Sequence, residues 1–162
     1  MTMCGVMTAQ DGTAQDGTAH RGDIHLPGTD LTIATACRAA EVDYDDFTLT
    51  VAAGSYPCLP GATPGASRCF DETDLLALYV FGRLLSFGFG GLRAGEYACR
   101  IHAAVKAKAN ARFVSIALTK GGGKRVVVDS VASSPPTAFP GKLEFDIPAI
   151  REFLKARIDS DS

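Results

Sequence analysis

No apolar run in this chain approaches the ~20 residues that cross a bilayer, and its first residues lack the basic stretch and apolar core of a secretory signal. Both absences point to a soluble, cytoplasmic protein. Close cysteine pairs are missing as well. Cys4, Cys37, Cys58, Cys69 and Cys99 are odd in number and contain no CxxC spacing, which speaks against zinc and for reduced thiols packed as small hydrophobes. Cys58 and Cys69 flank an expected hairpin and are the best remaining redox pair. Catalytic groupings are lacking too: there is no Ser/His/Asp set, phosphate loop or pair of catalytic carboxylates. His20 and His25 fall in a polar N-terminal stretch, and His102 falls in an alanine-rich helix where a structural or exposed role is expected. Gly121-Gly122-Gly123-Lys124 has no strand–loop–helix setting for phosphates. The expectation is a non-enzymatic protein with no metal and no cofactor.

What is present is enough apolar sequence for a sizeable core: 162 residues, 46% hydrophobic. The net charge of −2 conceals an uneven distribution. Residues 91–128 hold eight basic side chains and one acidic, so one segment carries the surplus positive charge. Such clustering can attract phosphates even on a mildly acidic protein.

Residues 1–28 contain a tandem pentapeptide, Ala9-Gln10-Asp11-Gly12-Thr13 and Ala14-Gln15-Asp16-Gly17-Thr18, too polar to offset the entropy of ordering, and are expected to form a disordered tail. Order is expected to begin near Thr32, which can cap a helix over 33–40. Asp43 can cap a second over 44–53, ended by Gly54. Three prolines and two glycines between 55 and 69 forbid a helix there and suit an extended hairpin or wing. The acidic run Asp71-Glu72-Thr73-Asp74 opens a third helix. Its Leu75, Leu78, Phe81, Leu84 and Leu85 keep a 3.6-residue period up to Gly88. A fourth helix is expected over 92–109. The period then switches to two, predicting strands at 113–118 and 125–128 around the triple glycine and a short third at 143–145. Pro148 begins a last helix over 149–158, with Ile150, Phe153 and Leu154 as its apolar face. Phe47, Leu75, Leu78, Phe81 and Leu85 are expected to be buried together.

Helix, tight turn, helix, wing and long helix is the winged helix-turn-helix order. From Val42 to Gly54 the chain resembles the recognition helix of the MerR family, V-S-x-R-T-L-R-Y-Y-E-x-x-G, without a gap. Ser55-Tyr56-Pro57 is similar to the entry to that family's wing and Arg68-Cys69-Phe70-Asp71 to its exit. Asp74-Leu75, Leu78, Phe81, Arg83-Leu84 and Gly88-Phe89 follow the pattern of its next helix. The resemblance covers residues 31 to about 90, with small prophage and mobile-element regulators the most similar subgroup. The implied fold class is α+β. A MerR-type winged helix-turn-helix over 29–110 is followed by a β-hairpin and C-terminal helix over 111–158, expected to dimerise, and a tail over 159–162.

The departures from the family are chemical. Its two recognition arginines fall on Asp45 and Thr48, its paired tyrosines on Leu49 and Thr50, and Asp43 and Asp46 add negative charge. Its long antiparallel dimerisation helix is replaced by the hairpin and final helix. The resemblance implies that the wing arginine, Arg68, meets the phosphate backbone, with Ser67 beside it. Arg38, Tyr44 and Thr48 are candidate contacts from the two short helices. Lys106, Lys108, Arg112, Lys120, Lys124 and Arg125 could neutralise phosphates together. The expected function is a homodimeric, phage- or mobile-element-derived regulator that binds double-stranded DNA. The alternative is a protein-interaction module, an anti-repressor or transcription cofactor, that keeps the fold without DNA readout and docks a protein through the acidic second helix.

Overall fold

The computed structural model describes residues 29–61, 68–119, 121, 123–129 and 141–160. The expected N-terminal tail at 1–28, together with Ser67 and Lys120, lies outside the described residues.

A short strand, β1 (Thr29–Leu31), leads into helix α1 (Ile33–Ala39). The Thr32 hydroxyl accepts from the Thr35 backbone N–H at 3.1 Å, satisfying a donor that the first helical turn leaves open. A tight turn follows, in which Val42 N–H donates to the Cys37 carbonyl at 2.8 Å. Glu41 occupies the left-handed region there, with φ of 55°, a conformation unfavourable for a side chain with a Cβ. It is held from outside the turn: Arg83 donates to one carboxylate oxygen at 2.5 Å and Arg157 to the other. Helix α2 (Tyr44–Ala52) begins with the Asp43 carboxylate accepting from the N–H groups of Asp45 and Asp46. Gly54, with φ of 72°, ends that run as its freedom to adopt positive φ allows.

Strand β2 (Arg68–Phe70) pairs antiparallel with β1, Leu31 opposite Arg68 and Thr29 opposite Phe70. This adds an element that was not expected: a strand precedes the helix that Thr32 caps, and the ladder that Arg68–Phe70 joins is formed with that strand. Three residues are too few for periodicity to reveal such a strand. Helix α3 (Glu72–Ser86) opens with a reciprocal capping box: Asp71 accepts from Asp74 N–H at 2.8 Å, and Asp74 from Asp71 N–H at 2.9 Å. Helix α4 (Gly91–Ala107) returns along α3.

The rest is antiparallel sheet and one helix. Strands β3 (Phe113–Leu118), β4 (Lys124–Asp129) and β5 (Lys142–Asp146) lie in the order β4-β3-β5, with Ile116 opposite both Val126 and Leu143. Val114, Ser115, Ile116 and Ala117 of the central strand are all buried. Helix α5 (Ile147–Ser160) starts two residues earlier than expected, directly from β5. Pro148 fits its first turn, where no backbone donor is required.

The architecture is thus mixed α+β, with five helices and a small three-stranded sheet besides the β1–β2 pair among the described residues. Its centre is the ring triad Phe47, Tyr56 and Phe81, with centroids 4.9–5.7 Å apart in edge-to-face contacts. Leu75 and Leu78 join the same core as expected, while Leu85 is only partly buried. Leu76, Ala77 and Val80 are buried in addition, because α5 and β2 also pack against α3. Tyr79 stacks with Phe153 of α5 at 5.4 Å, and Ile147, Ile150 and Leu154 enter the common core. Strands β3 and β5 and helix α5 are therefore continuous in packing with the helices before them. No helix among the described residues is long and apolar enough to cross a membrane.

Candidate nucleic-acid interface

Helix α2 presents its outer side to solvent. Tyr44 is 49% exposed and Leu49 69%. Thr48 is half-buried, and its hydroxyl donates to the Asp45 carbonyl at 3.1 Å. The inner side is held by Phe47 and by Thr50, whose hydroxyl donates to the Asp46 carbonyl at 2.8 Å. Asp43 is occupied as the cap, whereas the exposed Asp45 and Asp46 side chains have no partner among the described residues. Arg38 is exposed in the last turn of α1.

Beyond α2 the chain runs tight against α4. A Cβ added at Gly95 would come within 2.2 Å of the Ser55 carbonyl oxygen, so only glycine permits this approach. Tyr56 is buried here, and desolvation, followed by the charge of Asp74, pushes its hydroxyl pKa far up. Arg68 donates through Nη1 to the Pro60 carbonyl. That bond ties the start of β2 to the connection from α2.

The basic residues expected to act together are dispersed. Lys106 lies 3.1 Å from Asp71 and 3.8 Å from Asp74 at the start of α3. Lys108 donates to the Val128 carbonyl at 3.3 Å. Arg112 sits over the neighbouring Phe113 ring, with 5.5 Å to its centroid. Lys124 lies over the Phe89 ring at 4.5 Å and near that of Tyr97 at 6.0 Å. Arg125 is exposed on the edge strand β4. Lys108 and Lys124 engage opposite ends of β4, about 13 Å apart at the rise of a strand.

Helix α4 also carries a group that the sequence did not single out. His102 Nε2 lies 2.7 Å from Asp74 Oδ1, with side-chain exposures of 13% and 9%. With Asp71 they place three potential ligand atoms within 4.8 Å of one another. Both carboxylates already serve the capping box, and the Lys106 ammonium supplies the positive charge beside them. Burial would raise the Asp71 carboxyl pKa, yet the Asp74 N–H, Lys106 and the Thr73 N–H outweigh it and hold it below its ordinary value. The cluster acts as a polar clamp between α3 and α4. The spacing of Asp74, His102 and Lys106 in sequence gives no signal of it, since the groups meet only when the helices pair.

The reading of the cysteines as reduced thiols is corrected. Cys58 is bonded to Cys99 with Cα atoms 5.4 Å apart, and Cys69 is disulfide-bonded too. Cys58 is therefore bonded to Cys99 and not to Cys69, because α4 packs against the end of α2 and brings Cys99 to Cys58. Cys37 alone among the described residues is a free thiol, 1% exposed, its pKa pushed up to about 12 by burial and by Asp43.

No family model matches the chain, and no curated protein matches it at a significant level.

Proposed function

We propose that this chain is a DNA-binding transcriptional regulator with a winged helix-turn-helix of MerR type, non-enzymatic and of phage or mobile-element origin. The observation that carries the reading is the arrangement β1, α1, tight turn, α2, connection, β2, α3, in which α2 is anchored by Phe47 while Tyr44 and Leu49 stay open to solvent. A helix so mounted can enter the major groove, with the β1–β2 ribbon against the backbone. Tyr44 and Thr48 would reach base edges. Arg38, Arg112, Lys124 and Arg125 would supply phosphate contacts, with Arg68 at the ribbon and Ser67, its neighbour in sequence, as a further candidate. Lys106 and Lys108 would contribute less, since both already have partners in the fold.

Such regulators read paired half-sites and so need two-fold symmetry. The dimer would form through the outer side of residues 111–158, because the inner side is committed to α3 and α4. Removing that segment would uncover α3. Val127→Glu, on the face of β4 turned away from the core, is therefore the sharper test by light scattering, and an unchanged dimer would rule the surface out.

A second reading is favoured by the unpaired Asp45 and Asp46 at the start of α2 and the exposed Leu49 beside them. These suit a docking surface for a basic protein partner better than they suit phosphates. Fluorescence-anisotropy titration over several salt concentrations, using promoter DNA beside the gene and a scrambled duplex, separates the two. DNA binding requires affinity that falls with salt. No salt-sensitive binding to either duplex would reject the regulator and leave the protein-interaction module.

A further inference from the structure

The Cys58–Cys99 bond ties the connection leaving α2 to the middle of α4, across 41 residues of sequence. It is not sealed in the core. Cys99 lines an open groove of about 500 Å3 together with Ser55, Pro57, Arg93, Glu96 and Arg100, and Cys58 is itself partly exposed. Two guanidinium groups stand on this rim against one carboxylate. Arg100 pairs with Glu96 at 2.5 Å, which leaves the exposed Arg93 with no ionic partner among the described residues. The backbone N–H of Cys58 donates to Cys99 Sγ at 3.2 Å. A donor so placed favours negative charge on that sulfur, as a leaving thiolate requires.

We propose that this groove is a thiol–disulfide exchange site for a low-molecular-weight anionic thiol. The thiol first gives its proton to solvent. Its thiolate attacks Sγ of Cys58, the more exposed of the two residues, and a new S–S bond forms there. The Cys58–Cys99 bond breaks, and its electron pair stays on Cys99 Sγ as a thiolate facing the Cys58 N–H. One disulfide replaces another, so no further oxidant or reductant is consumed. A second thiolate attacking the ligand sulfur would return Cys58 as a thiolate and release the ligand as its own disulfide. Arg93 attracts the ligand's carboxylate groups to the rim. Opening the bond releases the α2–β2 connection from α4, a covalent control independent of whether that connection meets DNA.

The test uses the full oxidised chain with reduced glutathione as the anionic probe and 2-mercaptoethanol as the neutral one, at matched thiolate concentration and low salt. Acid quenching, alkylation and peptide mapping follow. Glutathione is expected to open the bond faster than the neutral thiol, leaving glutathione on Cys58 and an alkylated Cys99. Arg93→Ala should slow glutathione about fivefold, the effect of one unit charge beside a ligand carboxylate in water, and slow 2-mercaptoethanol, which has no carboxylate, by clearly less. Arg93→Lys should restore the rate, and high salt should remove the wild-type preference. Cys37, buried and poorly ionised, adds no reactive background. Equal slowing of both thiols by Arg93→Ala, a wild-type preference unaffected by salt, an adduct confined to Cys69 or Cys99, or a bond that opens only on unfolding would each overturn the proposal.

Discussion

Helix α2 carries three aspartates at its start and leaves two of them in solvent, whereas the stretch from α4 to β4 carries half of the basic side chains and engages much of their charge. Lys106 is set against Asp71 and Asp74, Lys108 against a β4 carbonyl, and Lys124 against Phe89. Formal charge along a sequence therefore overstates the positive field available to a phosphate. A lysine within a few ångströms of a carboxylate has its field largely cancelled at a distance. A lysine over an aromatic ring keeps its charge but gives up some of its reach. Arg93 and Arg125 are the members of this stretch whose exposed guanidinium groups have no partner among the described residues. The acidic α2 keeps its charge for a different reason: Asp45 and Asp46 stand at the positive end of the helix dipole, where carboxylates are stable without a cation.

Substitutions can break this contrast at several strengths. The largest effect is expected beneath both regions. Phe81→Ala removes the ring that meets Phe47 and Tyr56, and should cost about 3–5 kcal/mol in denaturant unfolding. A melt unchanged by that substitution would mean that α2 is not anchored as described. Next comes the clamp. His102→Ala leaves Oδ1 of the buried Asp74 without its hydrogen-bond partner and should cost about 1–3 kcal/mol, while Asp45→Ala in solvent should change stability by less than about 0.5 kcal/mol. Equal effects at the two sites would erase the distinction between engaged and open charge.

Acid titration probes the same clamp. Because Asp71 is held below its ordinary pKa, the ionised form favours folding. Its contribution is complete above the usual carboxylate range and is lost as pH falls through the depressed value. Asp71→Asn should therefore flatten the acid limb of the stability profile, and an unchanged limb would show that the pairing with Lys106 contributes nothing. In DNA titrations Arg125→Ala should lower the slope of log affinity against log salt by about 0.9 with no change in melting temperature. Lys106→Ala should do the reverse, lowering the melting temperature and leaving the slope alone. Swapped outcomes would place Lys106, not Arg125, on phosphate. The smallest effect is expected for Asp45→Asn with Asp46→Asn. It should raise DNA affinity by a few-fold if α2 approaches phosphates, and weaken binding of a basic partner if α2 is a docking surface.

Helix positions were legible from the amino-acid order because their causes are local. Thr32, Asp43 and Asp71 cap the helices as expected, each by accepting a backbone N–H two or three residues ahead. Leu75, Leu78 and Phe81 fall on one face through the 3.6-residue period alone. The change to period two located β3 and β4 almost to the residue, since alternation is likewise a property of neighbours. The candidate site was less legible. Tyr44 and Thr48 could be placed on α2, but whether Lys106 would meet solvent or a carboxylate depended on which face of α4 turns toward α3.

What the chain by itself determined, then, was each helix, the strands β3 to β5 and their apolar faces, through interactions spanning four residues or fewer. Tertiary structure alone decided the rest. It joined Cys58 to Cys99 over 41 residues, His102 to Asp74 over 28, and Glu41 to Arg83 and Arg157 over 42 and 116. It also closed β1 onto β2 and folded α5 onto α3. Partners so distant in sequence meet only after the buried faces of α3, α4 and α5 have come together, because the hydrophobic burial that brings them there has no direction of its own. Those long-range contacts turned an apparent surplus of positive charge into a set of engaged side chains, and a set of expected thiols into a cross-link.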